Sequence, residues 1–117
     1  MNCIIASTST IHGSEYLAYL EEALKDLYKD VTELIFIPYA RPGGISHDQY
    51  TQKAKEGLAF LDAEVKGLHE FENPAEALKN AQALFTGGGN TFLLVSQLYN
   101  QKVLEPLQKA IKSGTPY

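Results

Sequence analysis

Short, continuously apolar runs alternate along this chain with segments of helical periodicity, and this alternation limits the possible folds more than any other feature. Continuous runs cover residues 3–6 and 34–37, and further strands are predicted at 81–86 and, from a looser pattern, at 64–69. Strands that are buried on both faces have such continuous apolar runs. The order β-α-β-α-β-α-β followed by helices predicts an α/β, doubly wound, mainly parallel sheet with helices on both faces and right-handed crossovers.

Local signals predict where the first three helices begin. Ser14 can cap the first of them, because its hydroxyl can accept a hydrogen bond from a free N–H of the first turn. Ser46 and Gln49 form a capping box at the start of the second helix. Asn73 followed by Pro74 is typical of an N-cap with proline at the first helical position. The predicted inner stripe of the second helix consists of Ala54, Leu58 and Leu61.

The end of the chain predicts two more helices, at about residues 92–99 and 103–112, and Gly114 is a normal C-terminal stop for the second one. Residues 114–117 look like the connection from that helix into a fifth strand. We therefore expect residues 1–117 to form a single α/β domain that is incomplete at the C-terminus and is the N-terminal part of a larger domain.

Composition and charge exclude several classes of partner. The chain has 14 acidic and 10 basic residues and a formal charge of −4, which disfavours a nucleic-acid partner. The single cysteine, Cys3, cannot form an internal disulfide, and its place on a buried strand predicts an inert core thiol. No apolar run approaches the ~18 residues of a membrane span, and the first residues lack the features of a signal peptide. We expect a cytoplasmic protein with no membrane partner.

The sequence Gly87-Gly88-Gly89-Asn90-Thr91 is the most informative stretch, because it lies between a buried strand and a helix. Consecutive glycines there leave backbone N–H groups uncovered, and such groups at a helix N-terminus can bind an anion or a developing oxyanion. The alternative is a tight turn in which glycine only permits close packing of strand and helix. Three glycines followed by asparagine favour a ligand.

Two other loops follow strands of the predicted sheet, and in open parallel sheets ligands bind where such loops converge. The hydroxyls of residues 7–10 could donate to a phosphate, but local hydrogen bonding in a turn explains them equally well. Arg41 could pair with a substrate carboxylate. His47 and Asp48 could act as a base and its orienting group, or simply form the solvated start of a helix.

Other kinds of chemistry lack the residues they need. His12 and His69 read as ordinary surface or loop histidines, and no pair of histidines or carboxylates has the spacing of a metal site. No Gly-x-Ser-x-Gly nucleophile elbow occurs. A phosphoacceptor domain would need acidic residues at the strand ends, where this chain has Ala6, Pro38 and Thr86.

Four motifs occur in the order and spacing of one family, and the resemblance covers the whole chain. They are Ser7-x-Ser9-Thr10-x-x-Gly13, Phe36-Ile37-Pro38-Tyr39-Ala40, Asp48-Gln49-Tyr50-Thr51 and Gly87-Gly88-Gly89-Asn90-Thr91-Phe92. The chain resembles the amino-terminal half of the peptidase E family, the α-aspartyl dipeptidases. Gly114-x-Pro116-Tyr117 resembles the lead-in to the strand that carries the family's nucleophile elbow.

The resemblance implies a fold like that of class I glutamine amidotransferases and flavodoxin. It also implies hydrolysis of dipeptides with an N-terminal aspartate by a Ser-His-Glu triad, without cofactor or metal. The nucleophilic serine is then expected a few residues after Tyr117, with the histidine and glutamate farther on. By the same resemblance the backbone N–H of Gly89, supported by Gly88, belongs to the oxyanion hole, and Asn90 and Thr91 contact the substrate.

Two expectations and two alternative functions follow for these 117 residues. Without serine and base they should have no dipeptidase activity. Exposed strand edges should lead to self-association or to pairing with the missing C-terminal segment. The alternative functions are a non-catalytic module that binds a small anion or a nucleotide, and a pseudoenzyme whose gene ends here.

Overall fold

A computed structural model describes residue 3 and residues 21–40, 46–61, 63–87 and 91–117. In chain order the elements are α1 (Glu21–Leu27), β1 (Glu33–Ile37), α2 (His47–Gly57), β2 (Glu64–Gly67), a 3₁₀ helix (Leu68–Glu70), α3 (Pro74–Lys79), β3 (Leu84–Thr86), α4 (Thr91–Asn100) and α5 (Leu104–Lys112). The predicted strand at residues 3–6 and the predicted cap Ser14 lie outside the described residues, apart from Cys3 itself.

The three described strands form one parallel sheet in the order β2-β1-β3. Leu34 of β1 lies opposite Val65 of β2, and Phe36 of β1 lies opposite Phe85 of β3. Helices connect the strands, as parallel pairing requires. The predicted parallel α/β architecture is confirmed.

Successive residues of β1 point into two separate cores because side chains alternate across a strand. Leu34 and Phe36 join the core that contains α1 and α2. Ile35 and Ile37 join the core that contains α3, α4 and α5. All four side chains are almost fully buried. Helices therefore cover both faces of the sheet, which explains why β1 reads as an unbroken apolar run.

Capping interactions hold two helix starts where the sequence predicts them. The Ser46 hydroxyl accepts a hydrogen bond from the N–H of Gln49 (3.0 Å), and the Gln49 side-chain oxygen accepts one from the N–H of Ser46 (2.9 Å). The Asn73 side chain accepts from the N–H of Glu76 at the start of α3 (3.2 Å). Gly114 has a φ of 99°, as expected for a glycine after a helix. The stripe of α2 is also confirmed, because Ala54, Leu58 and Leu61 are buried.

Two strands are shorter than predicted. The weaker run at 64–69 ends as a strand at Gly67, where the Glu70 carboxylate accepts the Gly67 N–H (2.6 Å) and a 3₁₀ turn begins. The run at 81–86 becomes a strand only at Leu84. At Gln82 the side chain contacts the start of β1. Its oxygen accepts hydrogen bonds from the backbone N–H groups of Thr32 and Glu33.

The segment after α5 returns to the sheet. The N–H of Leu84 donates to the carbonyl of Pro116 (2.8 Å). Ala83 and Gly87 make their backbone hydrogen bonds to β1, so Leu84, which alternates with them, faces the opposite side of β3. Pro116 therefore lies on the edge of β3 that β1 does not occupy, in agreement with the predicted lead-in to another strand. Within the described ranges, no helix combines the length and apolar character needed to span a membrane.

Candidate functional site

The carboxyl ends of β1, β2 and β3 lie at one edge of the sheet, because the three strands are parallel. Three connections leave from this edge: Pro38–Ala40 after β1, the 3₁₀ helix after β2 and Gly87 after β3. In open parallel sheets this edge is where ligands bind. The candidate site is therefore built from these connections and from the N-terminus of α2, which contacts two of them.

The glycine run begins directly at the end of β3. The N–H of Gly87 donates to the carbonyl of Ile37 (3.2 Å), so this amide completes the sheet and is not available to a ligand. Gly88, Gly89 and Asn90 lie outside the described residues, and Thr91 is the first residue of α4. The oxyanion-hole assignment, which rests on Gly88 and Gly89, stays a prediction.

Gly87 itself has a packing role. A Cβ placed on it would overlap the hydroxyl of Tyr50, and it would lie 2.8 Å from Cζ of Phe36, which is closer than real Cβ atoms approach. Tyr50 comes from α2 and Phe36 from β1, and both are almost fully buried. At Gly87, the structure therefore supports the alternative in which glycine permits close packing.

A cluster of aromatic, histidine and carboxylate side chains lies at the end of β2. Nε2 of His69 is 2.7 Å from Oδ1 of Asp48. The rings of His47 and His69 are 5.4 Å apart in edge-to-face geometry, and His47 contacts Tyr39 in the same way at 5.2 Å. The cluster of Tyr39, His47, Asp48 and His69 thus links the ends of β1 and β2 through the first turn of α2.

The geometry argues against His69 as a general base. A carboxylate only accepts hydrogen bonds, so the proton of the Asp48–His69 bond is on Nε2 of the imidazole. The other nitrogen, Nδ1, is buried and has no hydrogen-bond partner among the described residues, and a Cβ added to Gly67 would lie 2.6 Å from it. A base must reach the proton that it abstracts. This nitrogen faces the backbone, and His69 therefore acts as a link between β2 and α2.

The two remaining members of the cluster are neutral at neutral pH. The pKa of His47 is lowered by burial and by the nearby His69, although Asp48 opposes the shift. Burial raises the pKa of Tyr39. A neutral imidazole and a phenol can form hydrogen bonds with a polar ligand, but they supply no positive charge.

The structure brings together residues that sequence reasoning treated separately. The sequence offered His47 and Asp48 as a base with its orienting group, whereas Asp48 binds His69 instead. The two partners are 21 positions apart, and no local pattern in the sequence predicts this contact. Arg41, His12 and residues 7–10 lie outside the described residues. Among the residues that the structure describes, no group of three potential ligands could hold a metal ion.

Comparisons with known proteins agree with this architecture. The model of Peptidase family S51 matches residues 3–117. The chain is 36% identical over 117 residues to the Peptidase E of Shewanella denitrificans, covering 100% of this chain and 49% of that protein. It is 39% identical over 119 residues to the "Probable alpha-aspartyl dipeptidase" of Drosophila melanogaster, covering 99% and 48%. The chain thus spans about half the length of the curated relatives that it matches.

A solved structure shows the same fold. The crystal structure of a protein from Listeria monocytogenes EGD-e, also described as a Peptidase E, superposes with a TM-score of 0.63. The match covers 81% of this chain and 50% of that one, at 18% sequence identity. At that identity the likeness establishes the fold alone.

Proposed function

The chain belongs to Peptidase family S51, and from that premise we propose that it is the amino-terminal portion of a serine dipeptidase. Its substrates are dipeptides with an N-terminal aspartate, which a Ser-His-Glu triad hydrolyses through an acyl-enzyme. In this proposal residues 1–117 supply the oxyanion-hole loop at Gly88 and Gly89, with Asn90 and Thr91 next to the substrate. The nucleophile, the base and its orienting group come from polypeptide that follows Tyr117.

The observation that carries the proposal is the hydrogen bond from Leu84 to Pro116 (2.8 Å). In a parallel ladder, a residue lies opposite the one that follows its acceptor, so Leu84 lies opposite Tyr117. A strand that continues from Tyr117 beside β3 then comes level with Gly87 after about three residues. We therefore expect a serine on an elbow at the end of that strand to lie close to the carboxyl end of β3, where the glycine run begins.

This placement suits acyl transfer. Attack of a serine on the peptide carbonyl puts negative charge on the former carbonyl oxygen, and preorganised N–H groups stabilise that charge. Loss of one such donor typically lowers kcat by about 10²–10³. Donors without a nucleophile cannot form an acyl-enzyme, so the 117-residue chain alone should not turn over substrate.

The proposal is tested by joining residues 1–117 to the carboxyl-terminal half of the Shewanella denitrificans relative. We expect the fusion to hydrolyse Asp-Leu in strong preference to Ala-Leu, and the 117-residue chain alone to hydrolyse neither. A folded fusion without turnover contradicts the proposal. Tight calorimetric binding of phosphate or flavin mononucleotide to the chain alone would favour a non-catalytic binding module instead.

Within the active fusion, Gly89→Pro removes the N–H donor, whereas Gly89→Ala retains it. We expect kcat to fall by about 10²–10³ for the proline variant and much less for the alanine variant. An equal fall in both variants would contradict the donor role, because the two changes share the loss of glycine but differ in the N–H group.

The same reasoning gives a partner for the edge of β3 on which Pro116 lies. An unpaired strand edge can add a strand from another chain. We propose that the segment after Tyr117 covers this edge, and that a second copy pairs there when that segment is absent. Sedimentation of the 117-residue chain should show concentration-dependent association, and a monomer at all concentrations would contradict this expectation.

A further inference from the structure

An aromatic cluster lies directly behind the start of the glycine loop. The rings of Phe36 and Tyr50 are 5.0 Å apart at an interplanar angle of 89°, and those of Phe36 and Phe85 are 6.0 Å apart at 27°. Phe36 and Tyr50 are 0% and 1% exposed. Phe85 is partly buried, and the three rings from β1, α2 and β3 form one packed aromatic block.

This block touches the backbone of the chain where it leaves the sheet. The hydroxyl and ring carbon Cζ of Tyr50 and the ring tip of Phe36 occupy the space that a side chain at Gly87 would need. On the other side, the N–H of Gly87 is bound to Ile37 (3.2 Å). Gly87 is thus held between a backbone hydrogen bond and the tip of Tyr50, and the next residue is Gly88.

Tyr50 is itself held rigidly. It lies in the first turns of α2, whose N-terminus is closed by the Ser46–Gln49 capping box. Its N–H donates to the carbonyl of Ser46 (3.0 Å), and Ala54, one turn later, is fully buried in the same core. The capped helix α2 and the core that it buries therefore hold the phenol of Tyr50 in place.

We propose that Tyr50 is a positioning residue of the proposed oxyanion hole: its hydroxyl end fixes the position of Gly87, the residue through which the chain leaves β3 and enters the glycine run. This inference rests on the function proposed above. It assigns no contact between Tyr50 and the substrate. The phenol acts through Gly87.

The expected kinetic signature follows from when the oxyanion exists. Its charge develops only in the transition state, so misplaced amides weaken transition-state binding and leave binding of the ground state nearly unchanged. A displacement of about 1 Å in a catalytic group can cost on the order of 100-fold in rate. A change at Tyr50 should lower kcat and leave KM almost constant.

Tyr50→Phe in the active fusion is the primary test, with Tyr28→Phe as its matched control. Tyr28 is a similarly buried tyrosine at 4% exposure, and its hydroxyl donates to the carbonyl of Leu84 (2.6 Å), three residues before Gly87. We expect kcat to fall about tenfold for Tyr50→Phe with KM within about twofold. Tyr28→Phe should leave both values near those of the parent. Equal kcat in the two variants overturns the proposal.

A stronger perturbation reaches the loop from the opposite side. Gly87→Ala places a methyl group against Tyr50, and we expect kcat to fall on the order of 100-fold because the loop must shift. A Gly87→Ala fusion that folds and retains parental kcat would also overturn the proposal.

The chemical shifts of the glycine amides test the positioning role of Tyr50 independently of the proposed function. In nitrogen-15 correlation spectra of the fusion, Tyr50→Phe should shift the Gly88 and Gly89 amide resonances more than Tyr28→Phe does. A fusion without turnover refutes the proposed function, while the glycine shifts still decide whether Tyr50 positions the loop. Unchanged glycine resonances in Tyr50→Phe refute the positioning role even in an active fusion.

Discussion

The carboxyl ends of β3 and β2 lie at the same edge of one sheet, but different interactions hold them. At β3, Gly87 is packed against Tyr50 and Phe36, which are almost fully buried. At β2, the link is a hydrogen bond from His69 to Asp48, whose side chain is 85% exposed. Dense apolar packing fixes a backbone position closely, whereas a polar pair whose carboxylate is exposed to solvent contributes less energy. The end that precedes the proposed oxyanion hole is the rigid one.

Truncation of the aromatic block should give the largest loss of stability. Phe36→Ala removes a fully buried ring that contacts both Tyr50 and Phe85. We expect the free energy of unfolding to fall by about 3–5 kcal/mol, because a large cavity remains. Urea denaturation measures the change. Tyr99→Ala is the control at an aromatic position that is 74% exposed, and it should change stability by less than about 0.5 kcal/mol. Similar losses in both variants would show that the block is not tightly packed.

Gly67→Ala tests whether the β2 end is also closely packed. The added methyl would lie 2.6 Å from Nδ1 of His69 and 2.9 Å from Oγ1 of Thr51. We expect a loss of about 1–3 kcal/mol in unfolding free energy from overpacking. In a His69→Ala background the same change should cost less, because the imidazole is no longer in the way. Equal costs in the two backgrounds would exclude His69 as the obstacle.

Asp48→Asn tests the polar link itself. The variant loses the charged partner of His69 and an acidic group in the first turn of α2. We expect a loss of about 0.5–1 kcal/mol. Glu105→Gln is the matched control, since Glu105 is an acidic residue in the first turn of α5 that pairs with the exposed Lys109 (3.4 Å). A larger loss for Glu105→Gln than for Asp48→Asn would contradict the idea that the half-buried His69 strengthens its pair.

The smallest expected effect is a change in the pH dependence of stability. Burial and His69 lower the pKa of His47 in the folded chain. The unfolded chain therefore binds a proton more readily at this residue as the pH falls, so the contribution of His47 to stability is present above about pH 6.5 and is lost below it. His47→Gln should flatten the stability profile between about pH 5 and pH 7. A profile as steep as that of the parent would assign the slope to another group.

The sequence predicted the fold in those parts where local physics decides. The apolar run at 34–37 became the central strand β1, and the caps at Ser46 and Asn73 begin α2 and α3 as predicted. Strand ends were less predictable, because the Glu70 carboxylate and the Gln82 side chain take backbone N–H groups that a strand pattern cannot reveal. The Asp48–His69 pair was missed for the same reason, since it joins residues that are distant in the chain.

The sequence by itself determined that this chain alternates buried strands with amphipathic helices and carries a glycine run after a buried strand, because periodicity and backbone freedom are local properties. Only the tertiary structure decided the strand order, the contact of Tyr50 with Gly87 and the placement of Pro116 beside Leu84. These contacts join parts of the chain that are far apart in sequence. They form because buried side chains must pack closely and backbone polar groups must be paired, and the folded chain supplies the partners from distant segments.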